Sequence, residues 1–361
     1  MEYSNRLPSD ISRTISASRT ILCMQVVFMH MVITAPVPQD FDSRFVIYQF
    51  VIKHLSFLNW IAVPLFAAIA GYLFFMNYSN TWSCYIKKIK NRAHRLLMPV
   101  LISTTFFLLL FFIAQEFPYT RSLFSGQNKL IADYNWLDFM NAYTGIFTGY
   151  PFVGQCWFLI DLFIICLFSP FIYIYLKVTG VWGFLVISII WYVFSVFDII
   201  GFSGSQFAYF FILGAFASIK NTDLVLFVRN SRVSSFILFP FFYIASFVVL
   251  HHFKIYYNYI YFLYILVGII FMFNLCHWLI IKGYGNKLVK LSAGSFFVFI
   301  IHQQILMLLK RAAYKIIAPD SNAMLLLLYV AVPSLVIFLC YVFYNFLRSR
   351  CPRFLYIFMG D

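Results

Sequence analysis

The sequence predicts an all-α polytopic integral membrane protein with about ten transmembrane helices and both termini in the cytoplasm. Of its 361 residues, 63% are hydrophobic and 11% are charged, which is more apolar surface than a soluble domain can bury. The apolar runs last roughly 20 residues, the length that crosses a bilayer as a helix, whereas a β-barrel would show short alternating segments. Lys and Arg concentrate in short connections on one predicted side, which the positive-inside rule assigns to the cytoplasm.

The predicted spans follow the apolar runs in order: 17–36, 56–76, 96–115, 157–176, 181–198, 205–219, 234–252, 256–280, 293–309 and 323–347. The sixth is short and the eighth is long, so tilted or broken helices are expected there. We predict a single transmembrane domain over residues 1–361, with its core at about 13–347. The longest connection on the outer side is a periplasmic loop at 116–156, and loops of that length tend to carry function.

The formal net charge of +14 would also suit a nucleic-acid partner. The basic residues sit mainly between apolar runs, however, so the lipid bilayer explains them and no nucleic acid is predicted. Lys310, Arg311 and Lys315 lie on the predicted outer side and are the exception to the charge bias. The cysteines form no CxxC pair, and no metal site is predicted.

The first span carries two ionisable residues, Arg19 and His30, at the ends of the stretch RTILCMQVVFMH. Eleven residues at about 100° each make about three turns, so the two side chains share one face of the helix. They are about 16 Å apart along the axis, which places Arg19 near the cytoplasmic surface and His30 near the bilayer centre. Coenzyme A fits this geometry, because its phosphates and its thioester lie at opposite ends of a long thin arm.

In this interpretation Arg19 binds phosphate, and a neutral His30 is a general base or a transient acyl acceptor. The simpler alternatives are a snorkelling or topogenic arginine and a hydrogen-bonded interhelical histidine. Arg92 and Arg95 lie three residues apart in the segment KKIKNRAHRLLMP and share a helical face, from which they can contact phosphates beside Arg19. The same basic segment also fits a cytoplasmic retention signal.

Four further residues inside apolar runs are candidates for lining the cavity or orienting the histidine: Tyr72, Trp157, Asp161 and His302. An ionisable side chain inside a span needs a partner or a wet cavity, which applies to Asp161 and His302. Trp157 also suits an interface anchor, and Gly71 suits close packing between helices.

Together, and in their order along the chain, these motifs resemble the membrane-bound acyltransferase 3 family, often called acyl_transf_3. The resembling segments are 19–30, 63–72, 92–99, 157–170 and 299–302, and the resemblance extends over about residues 13–347. The chain departs from the family pattern at Ser16, where an acid is frequent, and at Ala70, where serine is usual. Both departures concern the surroundings of the proposed base rather than the base itself.

The resemblance implies a multi-pass O-acyltransferase (EC 2.3.1.-), in first place an O-acetyltransferase, of a bacterial inner membrane. It implies acetyl-CoA or another short acyl-CoA as cytoplasmic donor, and no metal. The implied acceptor is a sugar hydroxyl of a lipid-linked or polymeric glycan such as O-antigen in lipopolysaccharide, capsule or exopolysaccharide. Carried over, His30 is the catalytic residue, and Arg19, Arg92 and Arg95 contact acyl-CoA. Because the sequence stops after the tenth predicted helix, a stand-alone form without an SGNH esterase-like domain is expected.

Two alternatives from other classes stay open. A transporter or flippase of small solutes or lipid-linked sugars would use the intramembrane polar residues to line a conduction path. Such proteins favour paired repeats and broken helices in matching positions, and the sequence contains no internal repeat. A structural membrane subunit would leave the shared face of Arg19 and His30 without a purpose.

Overall fold

A computed structural model of the chain describes residues 7–33, 37–40, 42–121, 129–197, 202–253 and 257–360. All longer elements of this described part are helices, which confirms the all-α prediction. The α-helices are α1 (Ser9–Ile33), α2 (Val46–Asn59), α3 (Ala62–Phe75), α4 (Trp82–Glu116), α5 (Pro118–Arg121), α6 (Trp136–Thr144), α7 (Trp157–Leu167), α8 (Ser169–Phe197), α9 (Phe202–Ile219), α10 (Leu224–His252), α11 (Tyr257–Ile281), α12 (Asn286–Ile317), α13 (Asn322–Arg350) and α14 (Pro352–Met359).

Within the described residues, eight helical segments are long and apolar enough to cross a membrane: Ser9–Ile33, Ser43–Phe75, Trp82–Glu116, Ser169–Phe197, Leu224–Leu250, Asn258–Ile281, Asn286–Ile317 and Asn322–Arg350. Two shorter apolar helices, Gly154–Leu167 and Gln206–Ile219, account for the fourth and sixth predicted spans. The polytopic prediction is therefore confirmed, with eight long helices and two short ones. The predicted helix ends at 36, 198 and 256, and part of the loop at 122–128, lie outside the described residues.

Two predicted spans are divided in the structure. The span 56–76 is made of α2 and α3, with the break at Trp60 and Ile61. Pro64 lies in the first turn of α3. Backbone N–H groups in a first turn have no partner within the helix, so the N–H that proline lacks costs no hydrogen bond there. The span 157–176 is interrupted after α7, and its remainder continues as α8. Gly180 kinks α8 with φ +60° and ψ −135°, a conformation that favours glycine, so the predicted boundary between spans four and five is present as a kink.

Several helices begin earlier than predicted, among them α1, α2, α4, α10 and α12, and the causes are visible for α4 and α1. The side chain of Thr81 caps α4 by accepting a hydrogen bond from the N–H of Cys84, so the basic segment is helical rather than a loop. The helix α1 begins at Ser9 instead of residue 17, because its polar first turns pack against other helices. Thr14 Oγ1 lies 3.1 Å from His277 Nδ1 of α11, and Arg13 hydrogen-bonds to Asn286 of α12.

Gly71 of α3 and Gly214 of α9 form the closest helix crossing that we describe. A Cβ atom at Gly71 would lie 2.0 Å from the carbonyl oxygen of Phe211, and one at Gly214 would lie 1.9 Å from that of Ala68. Either added methyl group would overlap the facing backbone, so both glycines are required for this contact. The packing role predicted for Gly71 is confirmed, and it is the close approach through small residues that is typical of helices in membranes.

The helix α1 lies at the centre of the bundle and contacts α2, α3, α11, α12 and α13. The first turns of α1 meet the start of α12, and Gly360, beyond α14, packs on the backbone of Arg95 in α4. The start and the end of the described chain therefore lie at one end of the bundle, which we call the arginine end. The opposite end, covered by residues 129–156, is called the loop end; the assignment of either end to a membrane side stays a prediction.

Candidate active site

A first cavity of about 430 Å³ opens near the arginine end. Arg19 from α1 and Arg92 and Arg95 from α4 all line it, so helices distant in sequence bring the three predicted cations to one place. The other lining residues are apolar or small, and no described carboxylate is among them. The hydroxyls of Ser292 and Ser295 donate to the backbone carbonyls of Val289 and Ser292 on their own helix. Guanidinium groups around one cavity repel each other, and an anionic ligand would offset that repulsion.

In the basic segment of α4, the side chains of Lys88 and Arg92 have different surroundings. Lys88 Nζ donates to the carbonyl oxygens of Phe74 at 2.6 Å and Met76 at 3.0 Å, so it satisfies the end of α3. One turn further, the Arg92 guanidinium lies 5.7 Å from the centre of the Phe74 ring and reaches the first cavity. Lys88 therefore stabilises helix packing, whereas Arg92 lines the cavity.

A second cavity, of about 560 Å³, lies further along α1 towards the loop end. His30 lines it together with Trp157 of α7, Gln303 of α12 and Gln155, whose exposed fraction is 1%. Tyr150, Pro151, Phe152 and Gly154 line it at the loop end. The structure therefore places the predicted catalytic histidine and Trp157 in one cavity, apart from the three arginines.

Three phenylalanines, Phe66, Phe158 and Phe299, line both cavities and stand between them. The ring centroids are 6.0 Å apart for Phe66 and Phe158, 6.5 Å for Phe66 and Phe299, and 6.0 Å for Phe158 and Phe299. Each ring comes from a different helix, α3, α7 or α12, and contacts the other two. We call this cluster the phenylalanine seal, because it separates the arginine cavity from the histidine cavity.

His302 lies beside His30, with the imidazole centroids 5.1 Å apart and the ring planes at 58°. His302 is fully buried, and its Nδ1 lies 2.8 Å from the carbonyl oxygen of Phe299 and 3.0 Å from that of Val298. Because a carbonyl only accepts, Nδ1 carries the hydrogen, and Nε2 presents a lone pair. Nε2 is buried and makes no hydrogen bond among the described residues. The tautomer of His302 is thus set by the backbone of α12.

A buried ion pair anchors the last turns of α1. Lys310 Nζ donates to the carbonyl oxygen of Met31 at 2.7 Å and to Asp40 Oδ2 at 2.9 Å. Asp40 also accepts from the Tyr48 hydroxyl at 2.7 Å and from the Val37 N–H at 3.0 Å. The carbonyl of Met31 directly follows His30 in sequence, so this network fixes the backbone that carries the histidine. It also explains why a lysine stands on the predicted outer side.

The remaining predicted residues lie elsewhere. Tyr72 lines neither the arginine cavity nor the histidine cavity; it faces a separate cavity that also contains Asp223. Asp161 is half-buried on α7 and also lines neither cavity. Ser16, at the position where an acid was expected, bonds to the carbonyl oxygen of Ser12 on its own helix. The roles suggested for Tyr72 and Asp161 stay predictions, without contact to His30 to support them.

Sequence reasoning missed several residues of this region. The phenylalanine seal carries no sequence signal, because its members are three of 47 phenylalanines. Asp40 also carries no sequence signal, because it stands outside the apolar runs. Gln303 and Gln304 did have a signal: with His302 they form three consecutive polar residues inside the ninth predicted span.

Comparison with known proteins gives one match. A family model described as an acyltransferase domain matches residues 13–345, nearly the whole chain. No curated protein and no solved structure matches the chain significantly.

Proposed function

The chain belongs to the acyltransferase 3 family and is a multi-pass membrane acyltransferase, and from this premise we propose that it is an O-acyltransferase acting on glycans. The donor is a cytoplasmic short-chain acyl-CoA, in first place acetyl-CoA. The acceptor is a sugar hydroxyl of a lipid-linked or polymeric surface or exported glycan, such as O-antigen, capsule or exopolysaccharide. The membrane is the inner membrane of a bacterium, with the arginine end on the cytoplasmic side.

The observation that carries this proposal is the arrangement of two cavities along one helix. Arg19 lines the cavity at the arginine end, and His30 lines the next one, with the phenylalanine seal between them. Eleven helical residues correspond to about 16 Å of rise, a distance that an extended thioester arm can bridge. The phosphates of acyl-CoA would bind Arg19, Arg92 and Arg95, and the arm would displace the seal to bring the thioester to His30.

The chemistry at His30 has two balanced forms. In direct transfer, an imidazole nitrogen takes the hydroxyl proton while the sugar oxygen attacks the thioester carbonyl. The C–S bond then breaks, and the coenzyme A thiolate takes up the proton from the imidazolium. In the stepwise form, one imidazole nitrogen of His30 attacks the carbonyl, the C–S bond breaks, and the coenzyme A thiolate takes the hydrogen from the other imidazole nitrogen. The sugar hydroxyl then attacks the acyl-imidazole, and its proton passes to the departing imidazole. Both forms end with an ester, a free thiol and an unmodified histidine.

His302 is a positioning residue in this scheme. Its hydrogen-bonded Nδ1 leaves Nε2 as an unused acceptor next to His30. A hydrogen bond from His30 to this nitrogen, formed during the reaction, would fix the orientation and tautomer of the catalytic ring. A third group that orients the base is a frequent part of acyl-transfer sites. Here a second histidine would take the place that a carboxylate has elsewhere.

The proposal is tested with His30→Ala in cells that lack the chromosomal gene. The variant should be inserted at the wild-type level, and the surface glycan should lose its O-acyl groups, as measured by mass spectrometry and NMR. The mass of the missing group identifies the donor as acetyl-CoA or a larger acyl-CoA. Full O-acylation with His30→Ala would exclude the enzymatic role of this residue. A transporter would instead change the amount of exported glycan without changing its acyl content.

A further inference from the structure

A third cavity, of about 400 Å³, adjoins the histidine cavity at the loop end. Phe152 and Gln303 line both of them, so the two spaces share a wall. The remaining lining residues come from α4, from the loop before α6 and from α12: Phe111, Gln115, Lys129, Ile131, Tyr134, Gln304 and Met307. This cavity therefore lies on the opposite side of His30 from the arginines.

Three side-chain amides, those of Gln115, Gln303 and Gln304, line the third cavity together with the Tyr134 hydroxyl and the Lys129 ammonium group. Gln304 has an exposed fraction of 5%, and its Nε2 lies 3.4 Å from the carbonyl oxygen of Phe152. Its Oε1 is buried and makes no hydrogen bond among the described residues. A buried acceptor without a donor costs free energy, which a ligand hydroxyl can recover. Gln115 is already held, since its Oε1 accepts from the N–H of Ile131 at 2.9 Å.

The rest of the lining is mainly apolar, with the aromatic rings of Phe111, Tyr134 and Phe152, and its one charged side chain is paired. Phe111 and Phe152 meet edge to face with centroids 5.5 Å apart, and Tyr134 lies on the loop side. Lys129 is paired with Asp138 at 2.5 Å, so its charge is already compensated. Amides that bond hydroxyls, with aromatic rings that cover C–H surfaces, suit an uncharged sugar better than an anion or a lipid chain.

We propose that this third cavity binds one uncharged sugar unit of the acceptor glycan, with a hydroxyl donating to Gln304 Oε1, and directs a neighbouring hydroxyl past Gln303 to His30. The inference rests on the proposed O-acyltransferase function and deepens it, because it assigns the acceptor to a defined set of residues. The acyl-CoA and the sugar would then reach His30 from opposite ends of the bundle.

The test uses the purified full-length protein in lipid nanodiscs, with radiolabelled acetyl-CoA as donor. The acceptor probe is the O-acyl-free surface polysaccharide extracted from cells that lack the gene. The variant is Gln304→Met, which keeps the side-chain volume and removes the orphan acceptor. The matched control is Gln206→Met, since Gln206 is a glutamine of 6% exposure on α9 that lines none of the three cavities. Size-exclusion profiles verify that both variants are folded.

Gln304→Met is expected to raise the KM for the polysaccharide about tenfold, the ratio that corresponds to one lost hydrogen bond of about 1.4 kcal/mol. The KM for acetyl-CoA and the slow hydrolysis of acetyl-CoA without acceptor should not change, and Gln206→Met should resemble the wild type. An unchanged KM for the polysaccharide, with active wild-type protein, would overturn the sugar site and leave the O-acyltransferase function standing. If the wild type neither binds acetyl-CoA nor acylates the polysaccharide, the function itself fails.

Discussion

His30 of α1 and His302 of α12 hold their imidazole centroids 5.1 Å apart inside the bundle, although 272 positions separate them in sequence. The carbonyl oxygens of Val298 and Phe299 accept the Nδ1 hydrogen of His302. Its Nε2 makes no hydrogen bond among the described residues. The pair links the first span to the ninth predicted one. It gives the candidate base a neighbour whose hydrogen-bonding state is set by backbone alone.

His302→Asn tests whether this neighbour acts through Nε2. The substituted amide can still donate to the Phe299 carbonyl, so the fold should be retained, but no group remains in place of Nε2. We expect kcat to fall about 10²-fold, near the lower limit for loss of acid–base assistance, with both KM values unchanged. Steady-state kinetics in nanodiscs measure this split. A His302→Asn enzyme as active as the wild type would reduce His302 to a packing residue.

Arg92→Gln tests the donor site. A charge-assisted hydrogen bond of about 1.5–3 kcal/mol is lost, so the KM for acetyl-CoA should rise roughly 10- to 100-fold while kcat changes little. Acetyl-pantetheine lacks the nucleotide phosphates, and its KM should be the same for variant and wild type. The exposed Lys87, which lies on the same helix and does not line the arginine cavity, provides the control Lys87→Gln. An equal effect on both donors would argue against phosphate binding.

Phe66→Trp tests the phenylalanine seal. The larger ring should block the passage between the two cavities, so the transfer rate is expected to fall about tenfold or more. Binding of acyl-CoA by the arginines should persist, which isothermal titration calorimetry measures. Phe106→Trp on α4 is the control, because Phe106 is 58% exposed and faces away from both cavities. A Phe66→Trp enzyme with the normal rate would place the path of the thioester elsewhere.

Lys310→Met tests the anchor of α1. The substitution leaves Asp40, which is 5% exposed at its side chain, as a buried charge without its cation. Breaking a buried ion pair from one side costs about 3–5 kcal/mol, so the melting temperature in detergent should drop clearly. Lys310→Met combined with Asp40→Asn should recover part of the loss, since the uncompensated charge is removed. Additive losses in the double variant would contradict a direct coupling of the two residues.

The pair of Lys129 and Asp138 predicts a pH dependence at the loop end. Hydrogen bonds from Lys129 and from the N–H of Asn135 hold the pKa of Asp138 below its ordinary value of 3.8. A lowered pKa means that the contribution to loop stability is present above the unfolded pKa and is lost as the pH falls through the folded one. The protection of residues 129–144 against amide hydrogen exchange, relative to their intrinsic rates, should therefore fall as the pH drops through the lowered pKa of Asp138, and Asp138→Asn should remove this dependence. A loop that exchanges equally in both proteins would show that the pair is not formed.

The helical period predicts which of the candidate side chains share one helix face. The eleven-residue spacing of Arg19 and His30 placed them on one face, and they do line consecutive cavities beside one helix. The three-residue spacing of Arg92 and Arg95 places them on one helical face, and both line the cavity that Arg19 lines; their contact with acyl-CoA stays a prediction. Spacing within one helix follows from the backbone alone, which is why these relationships can be inferred without tertiary structure.

Relationships between helices could not be inferred in the same way. The sequence does not reveal that Phe66, Phe158 and Phe299 meet, because side-chain packing between helices has no period. In the sequence, Lys310 stands out only as an exception to the positive-inside rule. Its partner Asp40 cannot be inferred, because it lies in a connection without a regular pattern. Helix starts were also missed, because the polar first turns of α1 are stabilised by contacts to α11 and α12 rather than by hydropathy.

The phenylalanine seal also affects whether protons can leak through the protein across the membrane. A donor cavity open at one end of the bundle and an acceptor cavity near the other would together form a water-filled route for protons. The three rings interrupt this route with apolar surface, which carries no hydrogen-bonded chain for a proton to follow. Each elementary charge that crosses a membrane dissipates about 2.3 kcal/mol per 100 mV of potential. With the three rings in contact, as they are here, the two cavities would therefore not conduct protons between acyl transfers, and in the proposed transfer the arm of acyl-CoA would fill the gap that it opens.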